Sequence, residues 1–135
     1  MIYESSVSYI IIDDKGNDKI KKEQFIIENL ETFSDVEELL YNEFGANTDF
    51  DVVAIKRSKI KEIANKRHDE NEKLFLAEVE DIFVNESGEE KPIRYRIVLF
   101  AKTFDDAKSF VTEFLKQGFD MALVSLKLTK FTDVL

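Results

Sequence analysis

An internal repeat, offset by 71–72 residues, constrains this chain's fold more than any other feature. Thr32-Phe33-Ser34-Asp35-Val36 returns as Thr103-Phe104-Asp105-Asp106-Ala107. The turn Asp13-Asp14-Lys15-Gly16 returns as Asn85-Glu86-Ser87-Gly88, and Lys56-Arg57-Ser58-Lys59-Ile60 as Lys127-Leu128-Thr129-Lys130-Phe131. A chain of 135 residues can bury a real core, whereas half of it alone is marginal. The two copies are therefore expected to pack on each other in one domain.

The pattern within each copy reads strand–strand–helix–strand. Residues 2–12 are rich in β-branched and aromatic types, Gly16 sits in a polar turn, and residues 19–30 form a second strand around Phe25, Ile26 and Ile27. Ser34 or Asp35 is placed to cap a helix, with Val36, Leu39, Leu40 and Phe44 as its apolar stripe and Gly45 as its stop. Residues 50–63 read as one continuous third strand. The second copy gives strands over 73–84 and 92–102, a helix over 104–117 with Ala107, Phe110, Val111 and Phe114 inward, a stop at Gly118, and a strand over 119–134. Aromatic residues recur in pairs: Tyr3 with Phe75, Phe33 with Phe104, Phe50 with Phe119.

The expected fold is α+β. It comprises two tandem ββαβ repeats, 1–64 and 72–135, joined by a polar linker over 65–71. The repeats pack with pseudo-twofold symmetry, mostly antiparallel sheet and one helix per repeat.

Charge and composition exclude more than they indicate. The chain carries −9 overall, with 10 basic against 16 acidic side chains in residues 1–71. Such a surface repels a phosphate backbone unless its basic groups are segregated. There is no cysteine, so no disulfide, no thiolate nucleophile and no zinc–sulfur site. No apolar run approaches the ~20 residues that span a bilayer, and a cytoplasmic setting is expected. His68, the single histidine, lies in the polar linker without a second nitrogen ligand. Asp13-Asp14, Glu37-Glu38, Glu89-Glu90 and Asp105-Asp106 fall at turns and helix starts, where capping and solubility explain them. With no phosphate-cradling glycine loop and no nucleophile elbow, the expectation is a non-enzyme without cofactor or metal.

One basic segment stands out against the acidic background. Lys56, Arg57, Lys59, Lys61, Lys66 and Arg67 cluster in 56–67, and Lys127 and Lys130 recur in the second copy. Strand alternation would put Lys56, Ser58, Ile60 and Glu62 on one face, and Lys127, Thr129, Phe131 and Asp133 on the equivalent face. Lys56, Arg57, Lys59, Lys127 and Lys130 are thus candidate phosphate contacts, with Phe131 as a stacking ring. Lys21, Lys22, Arg94 and Arg96 could widen that patch. Lysines on a sheet edge also guard against aggregation, which is the plainer account.

The first strand (Ile2-Tyr3-Glu4-Ser5-Ser6-Val7), the strand Ile55-Lys56-Arg57-Ser58-Lys59-Ile60 followed by Glu62-Ile63, and the matching second half resemble a family of small proteins with a domain of unknown function. That family occurs in gut Bacteroidota and their tailed phages. This chain departs from members whose first strand begins with Trp and carries a Cys, and it has no Pro near the end of the second copy. The resemblance implies a phage or bacterial cytoplasm and brings no catalytic residues. Two functions remain open. One is a protein-interaction or assembly module, by a protein partner or by self-association. The alternative is a nucleic-acid accessory protein, such as a single-stranded DNA binder.

Overall fold

The computed structural model describes residues 1–45, 49–117 and 121–135. Among these residues the architecture is α+β: two helices and two four-stranded sheets, consistent with two tandem ββαβ-type units. The strands are β1 (Ile2–Ile12), β2 (Asp18–Glu28), β3 (Asp51–Arg57), β4 (Ile60–Ile63), β5 (Lys73–Val84), β6 (Glu90–Ala101), β7 (Ala122–Leu128) and β8 (Asp133–Val134). The helices are α1 (Phe33–Phe44) and α2 (Phe104–Leu115). Gly118 and Phe119, expected as a helix stop and a core aromatic, lie outside the described residues.

Both hairpins form where the turn chemistry places them. Gly16 and Gly88 adopt φ of 77° and 81°, the left-handed region that glycine enters without penalty. Asp13 and Asn85 brace the two turns alike. Asp13 Oδ1 accepts from the amides of Lys15 and Asn17, and Asn85 Oδ1 from those of Ser87 and Glu89.

The repeated Thr-Phe-x-Asp motif turns out to be a helix start. The cap is Thr32 rather than Ser34 or Asp35: its Oγ1 accepts from the Asp35 amide at 3.1 Å. Thr103 does the same for Asp106. Threonine holds the extended φ of −132° that a cap needs, and Asp35 then serves the positive end of the helix dipole. Thr32→Ala and Thr103→Ala are each expected to cost about 1 kcal/mol in chemical denaturation, because each leaves one helix amide without its acceptor.

The single third strand expected over 50–63 is in fact two. The chain breaks at Ser58-Lys59, and β3 and β4 join different sheets. The 119–134 segment divides likewise into β7 and β8. The expected alternation of Lys56, Ser58, Ile60 and Glu62 on one face is therefore lost at the break. The cause is the length of the partner strand. Ser58 donates its amide to Ile2 O at 2.9 Å, the last rung available against a strand that begins at Ile2. Thr129 donates to Leu74 O beside the start of β5 in the same way.

The compact units in space consequently differ from the repeats in sequence. The first comprises Met1–Ser58 with Lys130–Leu135, the second Lys59–Thr129. In the first unit the sheet order is β3-β1-β2-β8, and in the second β4-β6-β5-β7. Within each sheet three strands are antiparallel, and the donated one, β8 or β4, lies parallel to its neighbour. Each copy thus surrenders its last strand to the other copy's sheet. A bulge also recurs: Val53 is extra opposite Ser6/Val7, and Val124 opposite Glu78/Val79.

One helix covers one face of each sheet. In the first unit Tyr3, Val7, Phe25, Ile27, Val36, Leu40 and Phe50 form the core, joined by Leu135. In the second, Phe75, Ala77, Val79, Ile97 and Leu99 pack against Ala107, Val111 and Leu115 of α2. The alternation of buried Tyr3, Ser5 and Val7 fixes which face of β1 looks away from the helix: that of Glu4, Ser6 and Ser8.

Candidate functional site

The six basic-strand candidates do not share one surface. Lys56, Lys130 and Phe131 come together in the first unit, lining a depression of about 180 Å³ with Glu4, Ser6, Gln24 and Ala54. Arg57 lies opposite Tyr3 in the β1–β3 register, so it belongs to the helix-covered side of the sheet. Lys59 and Lys127 belong to the second unit. There Leu126 packs on the core, so the next residue, Lys127, takes the opposite face of β7.

A second depression of about 250 Å³ adjoins the first, sharing Ser6, Gln24 and Lys130 and adding Lys22 and Thr132. The two form a groove on the face of the sheet away from α1. Acidic side chains interleave with its lysines to a limited degree. Lys56 Nζ is 4.0 Å from Glu4 Oε1. Glu23 is engaged elsewhere: it accepts from the Tyr9 hydroxyl and pairs with Lys21 at 3.1 Å. That hydrogen bond, with burial and the Glu23 charge, raises the Tyr9 phenol above its ordinary value, and Glu23 raises Lys21. Of the cations expected to widen the patch, Arg94 instead pairs with Glu80 at 2.9 Å.

Residues 65–71 run along the second unit. The Asn65 amide makes both hydrogen bonds to the backbone of Phe100, at 2.7 and 3.0 Å. Arg67 lies 4.8 Å from the Phe100 ring centroid and donates to Glu72 O. The Asn71 backbone amide and then the Lys102 ammonium, 3.1 Å away, hold Asp69 below the usual carboxylate range. The His68 backbone amide does the same for Glu72. His68 thus contributes its backbone to this loop. Among the described residues, no three His, Asp or Glu side chains are placed to hold a metal ion. No described helix is long and apolar enough to cross a membrane.

The surface that sequence reasoning missed is apolar. β1 and β2 pair as far as Ile12 and Asp18, but β3 reaches only Ser8 and β8 only Phe25 and Ile26. Beyond them the hairpin is a two-stranded arm. It exposes Ile10, Ile12 and Ile20, with Ile12 at 73%. In the second unit β7 stops at Glu80 and β4 at Arg96, and the arm beyond exposes Ile82, Phe83, Val84 and Ile93. The signal was present in the unbroken runs Ile10-Ile11-Ile12 and Ile82-Phe83-Val84. Consecutive apolar residues on a strand occupy both faces, and a single helix covers only one.

No curated protein and no solved structure gives a match to this chain. The family model for a domain of unknown function, DUF4494, matches residues 1–135, and the chain belongs to that family.

Proposed function

We propose that the protein is a non-catalytic assembly module that associates with further copies of itself through its two hairpin arms. The setting would be the phage or bacterial cytoplasm that its family resemblance implies. The observation that carries this reading is the pair of apolar arms, one per unit, that extend past every neighbouring strand. Contiguous exposed apolar surface on a protein marks an interaction site. A two-stranded ribbon is marginal by itself and gains from a partner.

Charge favours pairing unlike arms. Residues 9–22 hold Lys15, Lys19, Lys21 and Lys22 against Asp13, Asp14 and Asp18, a balance of +1. Residues 81–94 hold Lys91 and Arg94 against Asp81, Glu86, Glu89 and Glu90, a balance of −2. The first arm of one copy therefore suits the second arm of the next, a head-to-tail contact rather than a twofold one. The nucleic-acid reading gains if Lys56, Lys59, Lys127 and Lys130 face one groove, and of these the first unit's depression is lined by Lys56 and Lys130.

Sedimentation velocity over a concentration series tests the proposal. The expected result is a species that grows with concentration. Ile12→Lys or Phe83→Lys should each weaken association about tenfold or more, since buried apolar anchors dominate such contacts. A mixture of the two variants should still form a heterodimer, because each retains the arm the other lacks. A chain that stays monomeric at every concentration would overturn the reading.

A further inference from the structure

The two copies carry the same surface with different chemistry, and the difference points to a ligand. On the outer face of the second unit, Glu78 is opposite Arg96 and Glu80 opposite Arg94. Each arginine there faces a carboxylate, and Arg94 closes on Glu80 at 2.9 Å. The matching positions of the first unit, 72 residues earlier, are Ser6 opposite Gln24 and Ser8 opposite Lys22. Hydroxyls stand where the second copy has carboxylates. Of the two cations only Arg94 has a counterpart in the first unit, Lys22, with Gln24 in the place of the other, and neither carboxylate has one.

Lys130 lines both depressions, Lys22 one and Lys56 the other. Lys22 from β2, Lys56 from β3 and Lys130 from the segment leading into β8 line the groove with Ser6, Gln24 and Thr132, and the carboxylates Glu4 and Glu23 line it too, Glu23 being paired with Lys21 and Tyr9. Among the described residues, Lys22 and Lys130 make no ion pair, and Lys56 has only the 4.0 Å approach of Glu4. Edge protection accounts for a lysine on β3. It extends to Lys22 as well, because β8 pairs with β2 only at Phe25 and Ile26 and leaves the strand unpaired on that side at Lys22. Three ammonium groups around hydroxyl and amide donors are the donor set of an oxyanion site.

We infer that the outer face of the first unit's sheet is a binding groove for phosphate groups, built from Lys22, Lys56 and Lys130 with Ser6, Gln24 and Thr132. The groove meets the base of the first hairpin arm at Lys22, and its test reads ligand binding rather than self-association. Two adjoining depressions give room for successive phosphates, as on a single-stranded nucleic acid. A free phosphorylated ligand would use the same donors.

The test uses the full chain and two probes. Inorganic phosphate is titrated while backbone amide shifts are followed. A fluorescent oligothymidylate is titrated by anisotropy at several salt concentrations. The expected result is saturable shifts at the Ser6 and Gln24 amides. For the oligonucleotide, three contacts predict a log–log salt slope of about −2. Lys22→Ala with Lys130→Ala should lower affinity about tenfold or more and reduce the slope to about −0.7. Arg94→Ala, in the already neutralised copy, should leave binding unchanged. Saturable phosphate binding with no tighter hold on the oligonucleotide would uphold the groove and assign it to a small phosphorylated ligand. Tighter, strongly salt-dependent oligonucleotide binding would uphold it as a nucleic-acid contact. The absence of shifts with both probes, or binding that the double variant leaves intact, would overturn it.

Discussion

Tyr3→Ala is expected to destabilise the protein by about 3–5 kcal/mol, read as a shift in the denaturation midpoint at unchanged slope. A domain of this kind has about 5–15 kcal/mol in total, so much of the variant would be unfolded near physiological temperature. Tyr3 is fully buried in the first unit's core, in one cluster with Val36 and Leu40 of α1. Its ring meets the edge of Phe33 at 5.3 Å, and its hydroxyl donates to Glu31 O at 2.9 Å. It thereby ties the middle of the sheet to the loop that starts the helix. Alanine would remove the ring, leave a cavity and orphan a carbonyl. Tyr3→Phe separates these effects. It keeps the ring and loses only the hydrogen bond, so it should cost about 1 kcal/mol. The second copy shows that the ring alone can serve, because Phe75 takes the equivalent place against Phe104 at 6.4 Å. If Tyr3→Ala cost no more than Tyr3→Phe, the core described here would be the wrong one.

The local elements were legible because their signals are local. The glycine turns and the stripe of Val36 and Leu40 each act within a few residues, and the helix start was read within two or three residues of its cap, Thr32. Nothing local marks the break at Ser58-Lys59. Lys56-Arg57-Ser58-Lys59-Ile60-Lys61 has no glycine or proline to mark a turn. The strand ends where its antiparallel partner begins, at Ile2, which is information some fifty residues away. The groove was half legible for the same reason. Lys56 and Lys130 were evident as a repeated motif. Lys22 looks no different from Lys21 until the sheet register assigns the two to opposite faces, where Lys21 is taken by Glu23 and Lys22 is not. The arms are exposed because their neighbours are short. Strand lengths are settled by pairing, so that exposure is a property of the fold rather than of any one segment.

Ending the chain at Thr129 should loosen the first unit more than the second, although the deleted residues follow the second copy in sequence. Residues 130–135 supply the edge of the first sheet. Thr132 donates its amide to Gln24 O at 2.7 Å, and Leu135 donates to Ile26 O at 2.8 Å. Leu135 packs on the core of Tyr3, Phe25 and Leu40. These two backbone hydrogen bonds at about 0.5–1.5 kcal/mol each, with partial burial of one leucine, give a loss of at least about 2–4 kcal/mol, to which the β2–β8 pairing at Phe25 and Ile26 adds. Native-state hydrogen exchange reads where that loss falls, because an amide exchanges about tenfold faster for each 1.4 kcal/mol removed from the opening that exposes it. Amides of β1 and β2 should exchange at least about tenfold faster in the shortened chain, with a smaller change in β5 and β6. The alternative pattern, loss concentrated in β5 and β6, is what two self-contained sequence repeats would give, since each would then keep its own last strand. Thr132→Pro is the gentler version of the same experiment. It removes one donor to Gln24 while leaving Leu135 in the chain, and it should reproduce the direction of the effect at reduced size.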